Sequence, residues 1–474
     1  MKFTGNSTSS ARPQFDSLAS LAVPSLRLPT PVKLFFITYT VALACLLDFQ
    51  LLWLDEIIQL LGTRSGTLEH IDQLTRTGVG GVPLGWLPQL LAIRVLGYSI
   101  AAARLPSAIA AIGSCLVVLY IARQLRLRYP LVPAVLLSAM PLFFRYALEG
   151  RPYTQGVLLS ALVTLAFIKL LNRQSLQSGV TYALVLVLAM YSQPFACFTA
   201  CAHLVWVLIM RRQQHRLVCF TGCALVLMVL TFLPWYAYAA PMWRETIQSD
   251  GLQLHLTSTT PLMVIRELTG AGYFGGGTLL LLAAVGFYRG GVTTPMKWLL
   301  LACSAVPALC VFIVDAFFGY FFAIRQMIFI LPPLVLLAAD GLIALVRAGR
   351  RVGVATTLLT IIFVFVDAHW LRKPREDWKL AARTIEQLRN EHSACVLSSP
   401  YGTLPYYSFY EPALDNSICR SSNPFTSEAV VLVISPYTTE QERRTAQELV
   451  RGKQIVASQS VGMSMIQVYG KSVE

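Results

Sequence analysis

Charge is what this sequence has least of. Only 13% of its 474 residues are Asp, Glu, Lys or Arg, while 55% are hydrophobic and the mean hydropathy is +0.59; a soluble domain carries about a quarter charged residues. A chain so poor in charge cannot cover a water-facing surface, which excludes one large soluble domain. Acids are scarcer than bases, 24 against 38, leaving a net charge of +14. The Lys and Arg residues fall in short clusters between apolar runs, so the excess reads as positive-inside topology and not as a nucleic-acid-binding face. A disulfide scaffold is also missing. Of ten cysteines, only Cys395 and Cys419 stand clear of the apolar segments. Cys197/Cys201 and Cys219/Cys223 have helical spacing but no His or carboxylate at ligand spacing, so they read as small buried apolar groups. There is no internal repeat. Residues 1–32, rich in Ser, Thr and Pro, contain no h-region with a cleavage site and read as a disordered cytoplasmic tail.

What is present is a series of apolar runs, and a helix needs about 20 residues to cross a bilayer. They fall at about 33–53, 101–122, 130–148, 152–171, 179–196, 196–210, 217–236, 277–289, 298–316, 326–346 and 352–367, roughly 11 spans. The connecting loops alternate in charge. One set holds Arg123, Arg126 and Arg128, then Arg173, then Arg211, Arg212 and Arg216, then Arg289 and Lys297, then Arg347, Arg350 and Arg351, without a single acid. The other holds Asp55 and Glu56, Glu149 and Arg151, Glu245 and Asp250, and Asp315. This asymmetry puts the N-terminus inside and, with an odd span count, the C-terminus outside. The first outer loop, 54–100, contains an interfacial helix over Pro83–Tyr98, with Trp86, Leu87, Leu90, Leu91 and Val95 near one face.

The tail from 368 to 474 alternates strand and helix. An amphipathic helix is expected over Glu376–His392 and a charged one over Thr439–Arg451, with strands at Cys395–Ser398, Val430–Ser435, Gln454–Ala457 and Met465–Tyr469. The expected fold is therefore a polytopic α-helical membrane module, 33–367, followed by a small extracytoplasmic α/β domain, 368–474. Outside the cytosol, Cys395 and Cys419 would be free to pair.

Two constellations at the expected outer rim carry possible chemistry. Trp53-Leu54-Asp55-Glu56 follows the first span, where adjacent carboxylates are either polar punctuation or a general base or metal ligand. Glu149-Gly150-Arg151-Pro152-Tyr153 is either a turn with an internal ion pair or a fixed cation for phosphate beside a second carboxylate. Tyr191-Ser192-Gln193-Pro194 reads first as a helix boundary, and Arg325 as an outward arginine at odds with the charge rule. His203 reads as a packed histidine. Asp48 and Asp340 lie within or near apolar runs without a charged partner in the sequence, the pattern a transporter or flippase would need at the midplane.

The stretches Leu52-Trp53-Leu54-Asp55-Glu56, Pro83-Leu84, Ala103-Arg104-Leu105-Pro106-Ser107, Glu149-Gly150-Arg151-Pro152-Tyr153 and Asp377-Trp378-Lys379, in that order, resemble bacterial members of the dolichyl-phosphate-mannose–protein mannosyltransferase superfamily. These are GT-C fold glycosyltransferases and include the aminoarabinose transferases. The resemblance runs from about residue 50 to 410. It implies inverting transfer of a sugar from a polyprenyl-phosphate donor to a lipid, glycan or protein of the envelope, at the outer face of a bacterial inner membrane. It implies Asp55, Glu56 and Glu149 as catalytic carboxylates, with Arg151, Arg325 and Tyr153 at the donor phosphate and Gln193 lining the site. A divalent metal, if one is used, would fall to Asp55 and Glu56. Two positions depart from the family: Gly85-Trp86 stand where aromatics are common after Pro-Leu, and Gln193 where His is common, which weakens the case for a metal. The alternatives are a catalytically inactive member of the same fold and a transporter or flippase of a lipid-linked substrate, the latter disfavoured because the notable charges cluster at the rim and not at the midplane.

Overall fold

The computed structural model describes residues 29–470 apart from 65, 66, 68, 70, 71, 73–80, 250–256, 258, 319–323, 347–349, 373–375, 401, 420–427 and 437. The expected N-terminal tail lies outside the described residues up to residue 28, and helix α1 (Thr30–Leu46) already begins at its end. There follow α2 (Leu54–Thr63), α3 (Pro83–Leu96), α4 (Ile100–Gln124), α5 (Val132–Ala139), α6 (Pro141–Ala147), α7 (Tyr153–Arg173), α8 (Leu176–Ser192), α9 (Phe198–Met210) and α10 (His215–Ser249). The membrane module closes with α11 (Thr260–Glu267), α12 (Gly272–Arg289), α13 (Thr294–Phe318), α14 (Leu331–Val346) and α15 (Arg350–Arg372), which continues past the boundary expected at 367.

Among the described residues six helices are long and apolar enough to span a bilayer, or seven if α11 and α12, bent by 88°, form one broken span. The expected count of about 11 is not reached by this measure, because several apolar segments are short. The segment expected at 130–148 is two helices meeting at Met140-Pro141: proline offers no N–H to the preceding turn, and Met140 is extended.

Packing accounts for two polar residues of the apolar runs. The Asp340 carboxylate accepts the backbone N–H groups of Gly291 (2.9 Å) and Val292 (3.1 Å), tying down the α12–α13 turn. His203 stacks on Phe167 at 4.1 Å, with Nδ1 3.1 Å from the Tyr182 hydroxyl, a packed histidine as expected. Helices α12 and α14 cross so closely that a Cβ at Gly286 would run into the Leu337 carbonyl, and one at Gly341 into the Leu282 carbonyl.

The turns sort by charge. The side chains of Gln174 and Gln214 join the α7–α8 and α9–α10 turns at 3.3 Å, and the Trp206 indole donates to the Pro295 carbonyl beside the α12–α13 turn. These turns carry Arg173, Arg211, Arg212, Arg289 and Lys297 of the acid-free set. At the other end, which holds the site, Gln50 reaches the carbonyl of Trp370 near the end of α15.

The C-terminal domain contains α16 (Trp378–His392), β1 (Cys395–Ser399), α17 (Leu404–Ser408), β2 (Val430–Ile434), α18 (Glu440–Leu449), β3 (Gln454–Val461) and β4 (Ser464–Gly470). Its sheet has the order β1-β2-β4-β3, with β1 and β2 parallel and the other pairs antiparallel. The expected strands and helices are all there, and Cys395 is bonded to Cys419. Trp378, Ala381, Ala382, Ile385 and Leu388 of α16 cover one sheet face. That core continues into the membrane module through Leu52, Ile57 and Leu60, so the domain rests on α2. Arg64 fastens the contact: it donates to the Phe409 carbonyl (3.0 Å) and lies over the Tyr98 and Phe409 rings.

Candidate active site

The adjacent carboxylates of the first turn of α2 favour the positive end of its dipole. Helical spacing then sends them different ways. Glu56 is fully buried. Its Oε1 accepts from Arg104 Nε (2.8 Å) and the Gly150 N–H (2.7 Å), and its Oε2 from Arg104 Nη2 (2.8 Å). Arg104 spends its remaining donors on the carbonyls of Leu47 (2.8 Å), Gln50 (2.9 Å) and Leu51 (3.2 Å) just beyond α1. All five guanidinium N–H groups are thus used. The pair clasps the exit of α1, the start of α2 and the Gly150 turn. Both Glu56 oxygens are thus engaged in this buried pair, and neither faces open space.

Asp55 is in another setting. Its carboxylate is 18% exposed and lies 3.2 Å from an Nη of Arg325, itself 24% exposed. Arg325, in the short 3₁₀ segment Ile324–Ile330 before α14, also covers the Trp53 ring at 5.5 Å. Arg151 donates to the Asp55 main-chain carbonyl and to Gln59 Oε1, both at 3.3 Å. Tyr153 lies close to both arginines, and its ring is 5.7 Å from the Arg151 guanidinium. Burial disfavours charge on Arg151, but Tyr153 and Asp55 outweigh it and raise its pKa. Asp55, Arg151, Tyr153 and Arg325, drawn from three distant parts of the chain, therefore meet in one cluster: one partly open carboxylate beside two fixed cations.

The other expected residues lie around it. Glu149 is buried on the Arg104 side, close enough to act on both Arg104 and Tyr146. Gln193 ends α8 and packs against Gly156 of α7, where an added Cβ would lie 2.8 Å from its Cγ; it joins the wall one turn beyond Tyr153 and not the cluster itself. Asp55 and Glu56 diverge to different arginines, and among the described residues no three of His, Cys, Asp and Glu converge.

Sequence patterns did not point to Gln59, Thr63 or Gln89, the polar residues buried between α2, α3 and α4. Arg104 stood inside a family motif without a role. The apolar residues of the interfacial helix α3 divide. Trp86 and Leu90 are buried, and Leu87, Leu91 and Val95 are exposed. These three line an apolar groove of about 680 Å³ between α3, α4, α7 and α8, whose polar lining comes from Gln155 and Ser192. Gly85 lets α3 approach this end: a Cβ there would lie 2.9 Å from the Ser192 carbonyl and 3.5 Å from Pro152, next to Arg151.

A family model described as dolichyl-phosphate-mannose-protein mannosyltransferase matches residues 83–238. No curated protein matches the chain by sequence. The structure is similar to that of ArnT from Cupriavidus metallidurans bound to undecaprenyl phosphate, with a TM-score of 0.59 and 13% identity over 94% of this chain and 99% of that one. The apo state of the same protein gives 0.57 and 13% over 93% and 98%. The chain thus carries the GT-C fold, and the resemblance of its motifs to the dolichyl-phosphate-mannose–protein mannosyltransferase and aminoarabinose transferase superfamily is borne out by family model and architecture together.

Proposed function

We propose that this protein is an inverting glycosyltransferase that moves a sugar from a polyprenyl-phosphate donor to an envelope acceptor. The observation that carries the reading is the meeting of Asp55 with Arg325, Arg151 and Tyr153 at one end of the helical bundle. A sugar phosphate already has a good leaving group, so the chemistry needs a base for the acceptor and positive charge for the departing phosphate. Asp55 takes the acceptor hydroxyl proton as the new acceptor-oxygen bond forms to the anomeric carbon. The bond from that carbon to the phosphate oxygen breaks on the opposite face, which inverts the configuration. Arg151 and Arg325, with the Tyr153 hydroxyl, meet the charge left on the polyprenyl phosphate. Glu56 positions the Gly150 turn, and Glu149 supports Arg104. The apolar groove beside Pro152 provides room for a lipid chain at membrane depth.

The arginine-rich turns belong on the cytoplasmic side under the charge rule. The site and the C-terminal domain then face outward from a bacterial inner membrane, where a lipid-linked donor and an envelope acceptor are both within reach. The saturated Asp340 offers no midplane binding site of the kind a transporter uses.

Asp55→Asn tests the reading. In membranes supplied with a polyprenyl-phosphate-linked sugar, transfer should fall by about 10²–10⁴-fold, the range for a lost general base, at unchanged protein level. Retained transfer would remove Asp55 from the mechanism.

A further inference from the structure

Behind the cluster lies a second set of polar residues with no charge and almost no exposure. Gln89 of α3 is 2% exposed, and its amide is satisfied in every direction. Its Nε2 donates to the carbonyls of Gly150 (3.0 Å) and Ala103 (3.1 Å). Its Oε1 accepts from Gln59 Nε2 (3.0 Å) and lies 2.8 Å from the Thr63 hydroxyl. These four contacts fix the amide orientation, since a flipped amide would set its oxygen against two carbonyls. Gln59 is fixed in turn: with its nitrogen committed to Gln89, its oxygen is left facing Arg151 Nη1 at 3.3 Å. Gln89 therefore reaches Arg151 by two routes. One is side chain to side chain through Gln59. The other is through the backbone, because Gly150, whose carbonyl it holds, is the residue before Arg151. The fit at Gly150 is close: a Cβ there would lie 2.8 Å from Gln89 Nε2.

A buried polar residue of this kind costs desolvation unless every group is paired, and an apolar side chain would fill the space more cheaply. Hydrogen bonds that also aim a guanidinium give the amide a purpose beyond packing.

We infer that Gln89 is a positioning residue for the donor: through Gln59 and the Gly150 carbonyl it holds the Arg151 guanidinium where the carrier phosphate docks. The inference rests on the donor reading of Arg151 above. It makes Gln89 matter for phosphate affinity without touching the ligand, and it predicts that Gln89 and Arg151 act as one unit.

The test is binding of undecaprenyl phosphate to the purified full-length protein, with wild type, Gln89→Met, Arg151→Ala and the double variant compared. Gln89→Met keeps the side-chain length and removes all four polar contacts. It should weaken binding about tenfold, as expected for disturbing one hydrogen bond to a charged group. Arg151→Ala should weaken it at least as much, and the double variant should bind no worse than Arg151→Ala alone. If Arg151→Ala weakens binding but Gln89→Met leaves it unchanged, the positioning inference fails while the donor reading stands. Losses that multiply in the double variant also overturn it, because they would make Gln89 an independent packing residue. Wild-type affinity in Arg151→Ala overturns the donor reading itself. Should Gln89→Met not accumulate, Gln59→Leu cuts the same relay at its other member. It should show the same non-additivity with Arg151→Ala, and losses that multiply there count equally against the inference.

Discussion

Asp55 and Glu56 are neighbours in the chain, share one helical turn and carry the same functional group, yet the structure treats them in opposite ways. Glu56 is sealed from solvent, with both oxygens committed to Arg104 and the Gly150 N–H. Asp55 keeps partial exposure and a single ion pair, to an arginine that is itself partly open. A saturated carboxylate in a buried pair holds elements together; a carboxylate with spare lone pairs at a water-facing rim can accept a proton. Adjacency in sequence therefore says little about shared function, and the partner set decides.

Three substitutions can break or sharpen this contrast, ordered by their effect on stability. Glu56→Gln leaves Arg104 charged and buried without its counterion, which should cost about 3–5 kcal/mol. Thermal unfolding of the detergent-solubilised protein would show it, and an unshifted midpoint would deny the clasp its structural role. Cys395→Ser removes a crosslink spanning 24 residues of chain and should cost the C-terminal domain about 3 kcal/mol on a loop-entropy estimate. Limited proteolysis should then cut that domain sooner, whereas identical digestion patterns would show the bond to be dispensable. Arg325→Gln should cost less than about 1 kcal/mol, as for other partly exposed pairs. Its effect should fall on transfer instead, as a raised donor KM. A loss of stability matching that of Glu56→Gln, with KM unchanged, would make the two carboxylates equivalent after all.

Much of the cluster was legible in the sequence because charge is so sparse: Asp55, Arg151 and Arg325 stand out at the ends of apolar runs. The C-terminal strands were legible for a related reason, since their β-branched runs lie between polar turns. What could not be read was pairing. Nothing around Arg104 shows that it answers a carboxylate 48 positions earlier, and Gln59 and Gln89 resemble ordinary helical glutamines until α2 and α3 lie side by side. The buried side of α3 was hidden too. The helix is apolar nearly all round, so periodicity could not separate the side that packs, with Trp86 and Leu90, from the side that opens onto the groove, with Leu87, Leu91 and Val95. Span lengths went astray where Met140-Pro141 divides the apolar stretch expected as one span over 130–148.

The hydrophobic core common to α2 and the C-terminal sheet makes the chain hard to dissect. Ending it after Arg372 would strip the cover from Leu52, Ile57 and Leu60 and leave Arg64 without the Phe409 carbonyl. Shortened versions should therefore lose their grip on the turn that bears Asp55, even though every membrane helix remains.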